Sequence, residues 1–297
     1  MIIRSNNNLI KTVVFTGLAL VAFAANSVLC RLALADGAID AIGFTILRLV
    51  SGAICLLVII NINRKKSGSS TKGSWYAGLM LFVYAITFSI AYITIDVGTG
   101  ALILFGAVQI TMLLHSYISG NRFYFIEWVG IVISFAGFVY LILPGVTTPS
   151  VIGFLLMAVA GIAAGLYTLK GLVSKSPLMD TAYNFLRTIP FVIILTIVTI
   201  THLNYSTEGV LLAVLSGGIA SAGGYTIWYI ALGGLSTIQA AVLQLLVPAI
   251  AALGGVIFAS EVLTLRLTIS ATMILGGILM IIFGRYFLVR LSLVSKT

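Results

Sequence analysis

FTILRLVSGAICLL, residues 44–57, is an apolar run that contains one charged side chain, Arg48. A guanidinium stays protonated at any ordinary pH, so this run carries a permanent charge. The rest of the chain uses charge just as sparingly: 61% of its 297 residues are hydrophobic and 8% are charged. Soluble domains carry about 25% charged residues, and the mean hydropathy of +1.21 is far above their range. The composition therefore predicts an all-α integral membrane protein.

Ten apolar segments are long enough to cross a bilayer, which takes about 20 residues of helix. They cover residues 12–34, 39–62, 75–96, 99–119, 124–144, 150–173, 178–201, 208–233, 236–259 and 263–287. The first has the charged start and small residues of a signal peptide, but its apolar run continues to Leu34, so we predict an uncleaved helix. The connections are short, which leaves no room for a soluble domain.

Basic residues concentrate on one side of this predicted topology. With a cytoplasmic N-terminus, twelve of the sixteen basic residues fall inside and only Arg31 and Arg266 fall outside. The twelve are Arg4, Lys11, Arg64, Lys65, Lys66, Lys72, Arg122, Lys170, Lys175, Arg285, Arg290 and Lys296. The positive-inside rule therefore predicts that both termini are cytoplasmic.

The two halves of the chain resemble each other at a nearly constant offset. Arg48 and Arg187 are 187 − 48 = 139 residues apart, and Arg31 and Lys170 are also 170 − 31 = 139 apart. Each half holds five predicted helices, an odd number, so the second half enters the membrane from the opposite side. We therefore predict ten transmembrane helices as two inverted five-helix repeats, residues 1–145 and 146–297, an architecture common among secondary transporters.

The motifs of the two halves resemble those of the EamA-domain group in the drug/metabolite transporter superfamily. The resemblance rests on the pairs Leu47-Arg48 and Leu186-Arg187, on the stretch GALILFGAVQITM at 100–112, and on Pro248 followed by SEVLT at 260–264. The last stretch is similar to the family's G-E-x-x-T corner. The chain departs from the family's first repeat, which usually has a proline and a glutamate where Thr111 and Asn121 stand.

This resemblance implies a multi-pass transporter of small organic metabolites in a bacterial inner membrane. The first hypothesis is an exporter of solutes such as amino acids, working by alternating access through a central cavity between the repeats. The alternative is an exporter of larger amphipathic or drug-like solutes. Its expected partners are a small-molecule substrate and the lipid bilayer, and no cofactor is expected. Monomer and homodimer both remain open, and so does proton coupling, for which Asp96 and His115 are the candidates.

Arg48 and Arg187 are predicted to lie near the midplane, each about nine residues or roughly 13 Å from a helix end. A midplane arginine costs at least about 2.5 kcal/mol on insertion scales, so it must contact water, a carboxylate or backbone carbonyls. Each either binds a substrate carboxylate or ties the scaffold to helix carbonyls. Polar and aromatic residues gather at similar depth. The predicted substrate-binding residues are Asn26, Arg48, Tyr84, Tyr92, Gln109, Tyr167, Arg187, Tyr225, Trp228 and Gln244.

Other classes of function find little support in the sequence. The net charge of +9 is explained by topology rather than by nucleic-acid binding. No HExxH, GxSxG or GxxxxGK[ST] motif is present, so we predict neither catalytic residues nor a metal site nor an ATP site. No ring of charge suggests an ion-selective channel.

Overall fold

The structure is a computed structural model that describes the chain except residues 1, 36, 64–71, 121–122, 144–148, 173, 200–203, 236–239, 241–242 and 295–297. Side chains of residues 2–9, 63, 142 and 285–294 are likewise outside the described part. Asn121, most of the 63–73 connection and several of the basic residues counted above therefore lie outside the described residues. Within the described part the chain is helical, and an isolated bridge joins Ile39 to Tyr205.

Ten main helices follow one another through the described residues. They are α1 (Ile2–Ala35), α2 (Ala41–Asn63), α3 (Trp75–Ala91), α4 (Val97–Ile118), α5 (Phe125–Ile142), α6 (Val151–Leu172), α7 (Pro177–Thr199), α8 (Thr207–Leu232), α9 (Val247–Phe258) and α10 (Leu265–Val294). The predicted all-helical class and the number of helices are confirmed.

Seven of these helices are long and apolar enough to cross a membrane, whereas α3, α5 and α9 are shorter apolar helices. The prediction of ten full-length spans is thus confirmed only in part. Regular helix in α9 begins at Val247 rather than near 236, and Pro248 stands in its first turn, where the missing N–H costs nothing. The third predicted segment ends early, at Ala91, because a turn follows at 92–95.

Helices from the first half of the chain pack chiefly against helices from the second half. α1 contacts α8 and α9, α2 contacts α7 and α8, and α3 contacts α6 and α7. α4 lies against α6 and α9, and α5 pairs with α10. The core is consequently shared by both halves.

At one end of the bundle, here called the Arg31 end, Arg31 joins three elements. Its Nη1 donates to the carbonyl oxygens of Tyr92 (2.9 Å) and Ile93 (3.0 Å), just past the end of α3. Its guanidinium also pairs with Asp96 (3.6 Å) and with Glu261 (3.5 Å), which lies between α9 and α10. This end of the bundle is therefore held by one cation on α1.

At the other end, here called the Asp180 end, the connection before α3 meets the start of α7. The Gly73 N–H donates to Asp180 Oδ1 (2.8 Å) and the Ser74 N–H to Asn184 Oδ1 (2.9 Å). Ser74 in turn caps α3, because its hydroxyl accepts from the Ala77 N–H. The two ends are thus fixed by different polar contacts, while the middle of the bundle is mainly apolar.

Candidate functional site

A cavity of about 100 Å³ lies where the two halves of the bundle meet. Its walls come from α1, α2, α3, α4, α6, α8 and the segment before α9, mostly from the middle turns of these helices. The polar residues that line it are Asn26, Ser27, Arg48, Tyr84, Thr168, Ser221, Tyr225 and Gln244. Five of the ten predicted substrate-binding residues are therefore brought together around one space.

Arg48 is the charged residue among those that line this cavity, and it is only 3% exposed. Its Nη2 donates to the Tyr84 hydroxyl (2.8 Å), and its guanidinium carbon lies 5.2 Å and 4.7 Å from the ring centres of Tyr84 and Phe88. Its Nη1 is buried and makes no hydrogen bond to any described residue. A buried charged donor without a partner costs several kcal/mol, so the site is incomplete as it stands.

Asn26 connects α1 to an unusual part of α8. Residues Leu215–Gly223 of α8 form a π-helix, a rare geometry that often occurs at functional sites. Asn26 Oδ1 accepts from the hydroxyls of Ser216 (2.8 Å) and Ser221 (3.2 Å), both within this π-helix. The two hydroxyls occupy the amide oxygen, so the nitrogen of the amide is the group left for other partners.

Aromatic rings form the wall on the α8 side. Phe23 meets Tyr225 edge to face at 5.6 Å, and Tyr225 stacks on Tyr229 at 6.3 Å. The Tyr229 hydroxyl is 2.8 Å from Thr181 Oγ1, which ties α8 to α7. This wall offers ring faces and phenol groups rather than charge.

Four other predicted site residues are buried but do not line the cavity. Tyr92 packs against Phe88 near the Arg31 end, Tyr167 bonds Thr181 Oγ1, Trp228 meets Phe23, and Gln109 is 6% exposed in α4. Their burial fits a packing role, since each lies within or beside the apolar core.

Arg187, the counterpart of Arg48 in the second half, is placed away from the cavity. Its Nη1 donates to the backbone carbonyls of Lys72 and Tyr183, and its guanidinium lies over the Trp75 ring at 5.6 Å. The predicted midplane position differs from this, because the long side chain reaches the connection before α3 at the Asp180 end. The two matched arginines therefore do different things.

A larger cavity, of about 460 Å³, lies at the Arg31 end between α4, α9 and α10. Its acidic residues already have partners: Asp96 pairs with Arg31, and both oxygens of Glu261 accept from the Val97 N–H at 2.9 Å, capping α4. Burial raises the pKa of the Glu261 carboxyl above its ordinary value, although the Val97 N–H and Arg31 act the other way. This cavity sits at helix ends, so it is a vestibule rather than the central site.

The two candidates for proton coupling both lie away from the central cavity. Asp96 is at the Arg31 end, and His115 is an exposed residue in the last turn of α4. Among the described residues, no cluster of His, Cys, Asp and Glu side chains is placed to hold a metal ion.

Sequence reasoning missed the hydroxyl groups of the site. Ser27, Thr168 and Ser221 line the cavity, and Ser216 orients Asn26. Serine and threonine are common in membrane helices, where they bond the preceding turn, so their presence alone did not single them out. The signal that could have found Ser216 and Ser221 is their place in LSGGIASAGG, where glycines allow a close approach to α1 and α2.

A helical bundle that crosses a membrane several times and encloses a polar cavity defines a multi-pass membrane transporter. Residues 151–283 match the EamA-like transporter family. The chain is also 45% identical over 275 residues to "Uncharacterized protein PA1977" of Pseudomonas aeruginosa, covering 93% of this chain and 96% of that protein. The chain belongs to the EamA-like transporter family.

A protein of known crystal structure has the same fold. It superimposes on 89% of this chain and 96% of its own with a TM-score of 0.57, at 18% sequence identity. At that identity the likeness concerns the fold alone.

Proposed function

We propose that this protein is a secondary transporter that exports small organic metabolites, such as amino acids, by alternating access through the central cavity. The observation that carries the proposal is the cavity around Arg48, which is walled by helices from both halves of the chain. A site at the meeting of two halves can be exposed to either side of the membrane when the halves rock against each other.

The packing of the helices supports an inverted repeat of residues 1–145 and 146–297. If each helix of the first five is exchanged with its counterpart in the second five, the contact between α1 and α9 becomes that between α6 and α4. The contact between α3 and α6 becomes that between α8 and α1, and the contact of α2 with α8 becomes that of α7 with α3. The pairs α2–α7, α4–α9 and α5–α10 exchange into themselves, as expected for a two-fold relation between repeats.

Individual residues support the same relation. Asp40 at the start of α2 accepts from the Asn204 N–H before α8, and Asp180 in α7 accepts from the Gly73 N–H before α3. These carboxylates are 180 − 40 = 140 residues apart, close to the offset of 139 between the arginines. The contacts occur at opposite ends of the bundle, as an inverted repeat requires.

The size of the cavity favours small solutes. At about 100 Å³ it is well below the roughly 300–1,000 Å³ typical of sites for drug-sized ligands. The alternative, a transporter of larger amphipathic or drug-like solutes, would need a much wider cavity. The distribution of basic residues further supports a cell-membrane protein with the Asp180 end and both termini in the cytoplasm, where Lys72, Lys170 and Lys175 lie.

A counterflow assay tests this function. Purified protein is reconstituted into liposomes loaded with a mixture of unlabelled amino acids, hydroxy acids and sugars, and one labelled solute at a time is supplied outside. A carrier exchanges the labelled solute for the unlabelled one without any energy source. Uptake of small metabolites by loaded vesicles, absent from protein-free vesicles, is the expected result. Folded protein that exchanges only solutes too large for the cavity, or none at all, would refute the proposal.

A further inference from the structure

The central cavity contains a positive charge and no acidic group to balance it. None of the residues that line it is aspartate or glutamate. The two ion pairs found among the described residues both belong to Arg31, at the end of the bundle. Arg48 is thus buried with one donor on Tyr84 and one nitrogen, Nη1, without a partner.

We propose that Arg48 binds the carboxylate of the transported solute through Nη1, so that the substrates of this carrier are small carboxylates. This inference rests on the proposed function, because it concerns the same cavity, and it adds the chemical class that the cavity recognises. A carboxylate supplies both the missing acceptor and the missing negative charge, and charge-assisted hydrogen bonds of this kind are about twice as strong as neutral ones.

Arg187 shows how a purely structural arginine looks in the same protein. Its Nη1 donates to two backbone carbonyls, of Lys72 and Tyr183, and it reaches the end of the bundle. Arg48 has no backbone carbonyl as a partner among its described hydrogen bonds. Its contacts with Tyr84 and Phe88 hold the flat face of the guanidinium and leave its edge available. The structure therefore fixes the orientation of Arg48 without using its donors.

The rest of the lining suits an anion better than a cation. Asn26 has its oxygen occupied by Ser216 and Ser221, which leaves its N–H donors, and Gln244 supplies a further amide. An ammonium group in this cavity would find ring faces and hydroxyls but no carboxylate. A carboxylic acid without an amino group is therefore expected to bind at least as well as the matching amino acid, and the matching amide much less well.

Three acid–amide pairs test this preference on the unaltered protein: propionate with propionamide, alanine with alaninamide, and phenylalanine with phenylalaninamide. Binding is measured as the rise in unfolding temperature of protein in lipid nanodiscs, with chloride keeping the ionic strength constant. We expect the acid of at least one pair to bind roughly 10- to 100-fold more tightly than its amide, the range for a hydrogen bond to a charged group. Equal effects of acid and amide in all three pairs would overturn the proposal.

Variants then assign the preference to Arg48. Arg48→Gln is expected to bind acid and amide equally, whereas the matched control Arg187→Gln keeps the preference for the acid. Arg48→Lys retains the charge and is expected to keep part of the preference if Arg48→Gln does not fold. An acid preference that survives intact in folded Arg48→Gln would refute the role of this residue.

Counterflow separates this inference from the proposed function. Exchange of labelled alanine or propionate that is lost in Arg48→Gln and kept in Arg187→Gln supports both. Exchange that persists in Arg48→Gln leaves the transporter in place and removes the carboxylate site. Acid-selective binding without exchange of any solute keeps the site and removes the transporter. Neither binding nor exchange, from folded protein, refutes both.

Discussion

A single tyrosine holds the cavity arginine in two ways. The Tyr84 hydroxyl accepts from Arg48 Nη2 at 2.8 Å, and its ring lies 5.2 Å from the guanidinium carbon. Hydrogen bonding and cation–π contact together compensate part of the cost of burying the charge. Because the two contacts come from different parts of the side chain, they can be separated by removing one oxygen atom.

Tyr84→Phe removes that oxygen and keeps the ring. We expect the free energy of unfolding to fall by about 1–3 kcal/mol, because a second donor of a buried guanidinium loses its partner. The measurement is denaturant or thermal unfolding of the purified protein in detergent. Tyr76→Phe in the same helix is the control, since Tyr76 is 43% exposed and should tolerate the change. Equal stability of the two variants would show that the hydrogen bond contributes nothing.

Glu261 gives the protein a pH-dependent contact at the Arg31 end. Burial is the largest influence on this carboxyl and raises its pKa above the ordinary value of 4.5, so the folded protein holds the proton at pH values where the unfolded chain has lost it. Stability contributed by this group is therefore present at low pH and is lost as the pH rises through the raised pKa. Glu261→Gln should flatten the unfolding temperature across the window just above pH 4.5, whereas Glu208→Gln, at an exposed position, should not. Parallel pH profiles for wild type and Glu261→Gln would contradict the expectation.

Depth along a helix could be read from the sequence, but the direction of a long side chain could not. Arg48 and Arg187 occupy equivalent places in the two repeats, and the sequence treats them alike. Only the fold brings the carbonyl of Lys72, 115 residues away, within reach of Arg187. Such a contact depends on a connection whose path has no sequence pattern, which is why the two arginines could not be distinguished beforehand.

At the scale of elements, α8 crosses α2 so closely that one position must be glycine. A Cβ added to Gly217 would overlap the Arg48 carbonyl oxygen and the Ser51 hydroxyl. In the second crossing of this kind, a Cβ on Gly78 of α3 would lie 2.8 Å from the Cβ of Arg187. The two glycines are 217 − 78 = 139 residues apart. Each matched arginine is therefore packed against a matched glycine.

Gly217→Ala should destabilise the protein by about 1–3 kcal/mol, because the backbone of α2 cannot move aside without disturbing Arg48. Gly218→Ala is a control one residue away: its nearest neighbour would be the Cys55 Cβ at 4.0 Å, and alanine is the better helix former. Unfolding temperature and the yield of monodisperse protein measure both variants. A Gly217→Ala protein as stable as Gly218→Ala would mean that the crossing is looser than described.

Helix boundaries and helix type were only partly predictable. Apolar runs located all ten helices, because a bilayer demands about 20 apolar residues whatever the neighbours are. The π-helix of α8 was not predictable, since it accompanies hydrogen bonds from Ser216 and Ser221 to Asn26, some 190 residues earlier in the chain. The beginning of α9 at Val247 was missed for a related reason: residues 243–246 are apolar but form a turn beside the cavity.

For the molecule as a whole, alternating access requires that one end of the bundle opens while the other stays closed. At the Arg31 end, one guanidinium joins α1 to the end of α3, to Asp96 and to Glu261. Removing it would leave two carboxylates close to each other without the cation that lies between them. This end should then open more often, and the central cavity beneath it should become accessible.

Arg31→Gln tests this coupling between the end of the bundle and its centre. A cysteine is placed at Ser27, a buried residue that lines the cavity, after Cys30 and Cys55 have been replaced by alanine. We expect a hydrophilic maleimide to react roughly tenfold faster in the Arg31→Gln background, the change in open population that corresponds to losing a charged hydrogen bond of about 1.5 kcal/mol. Arg266→Gln is the control, because Arg266 bonds the Leu143 carbonyl at the same end but joins α10 to the end of α5. If both variants react at the wild-type rate, the contacts of Arg31 do not govern access to the cavity, and closure of this end must depend on apolar packing between the helices.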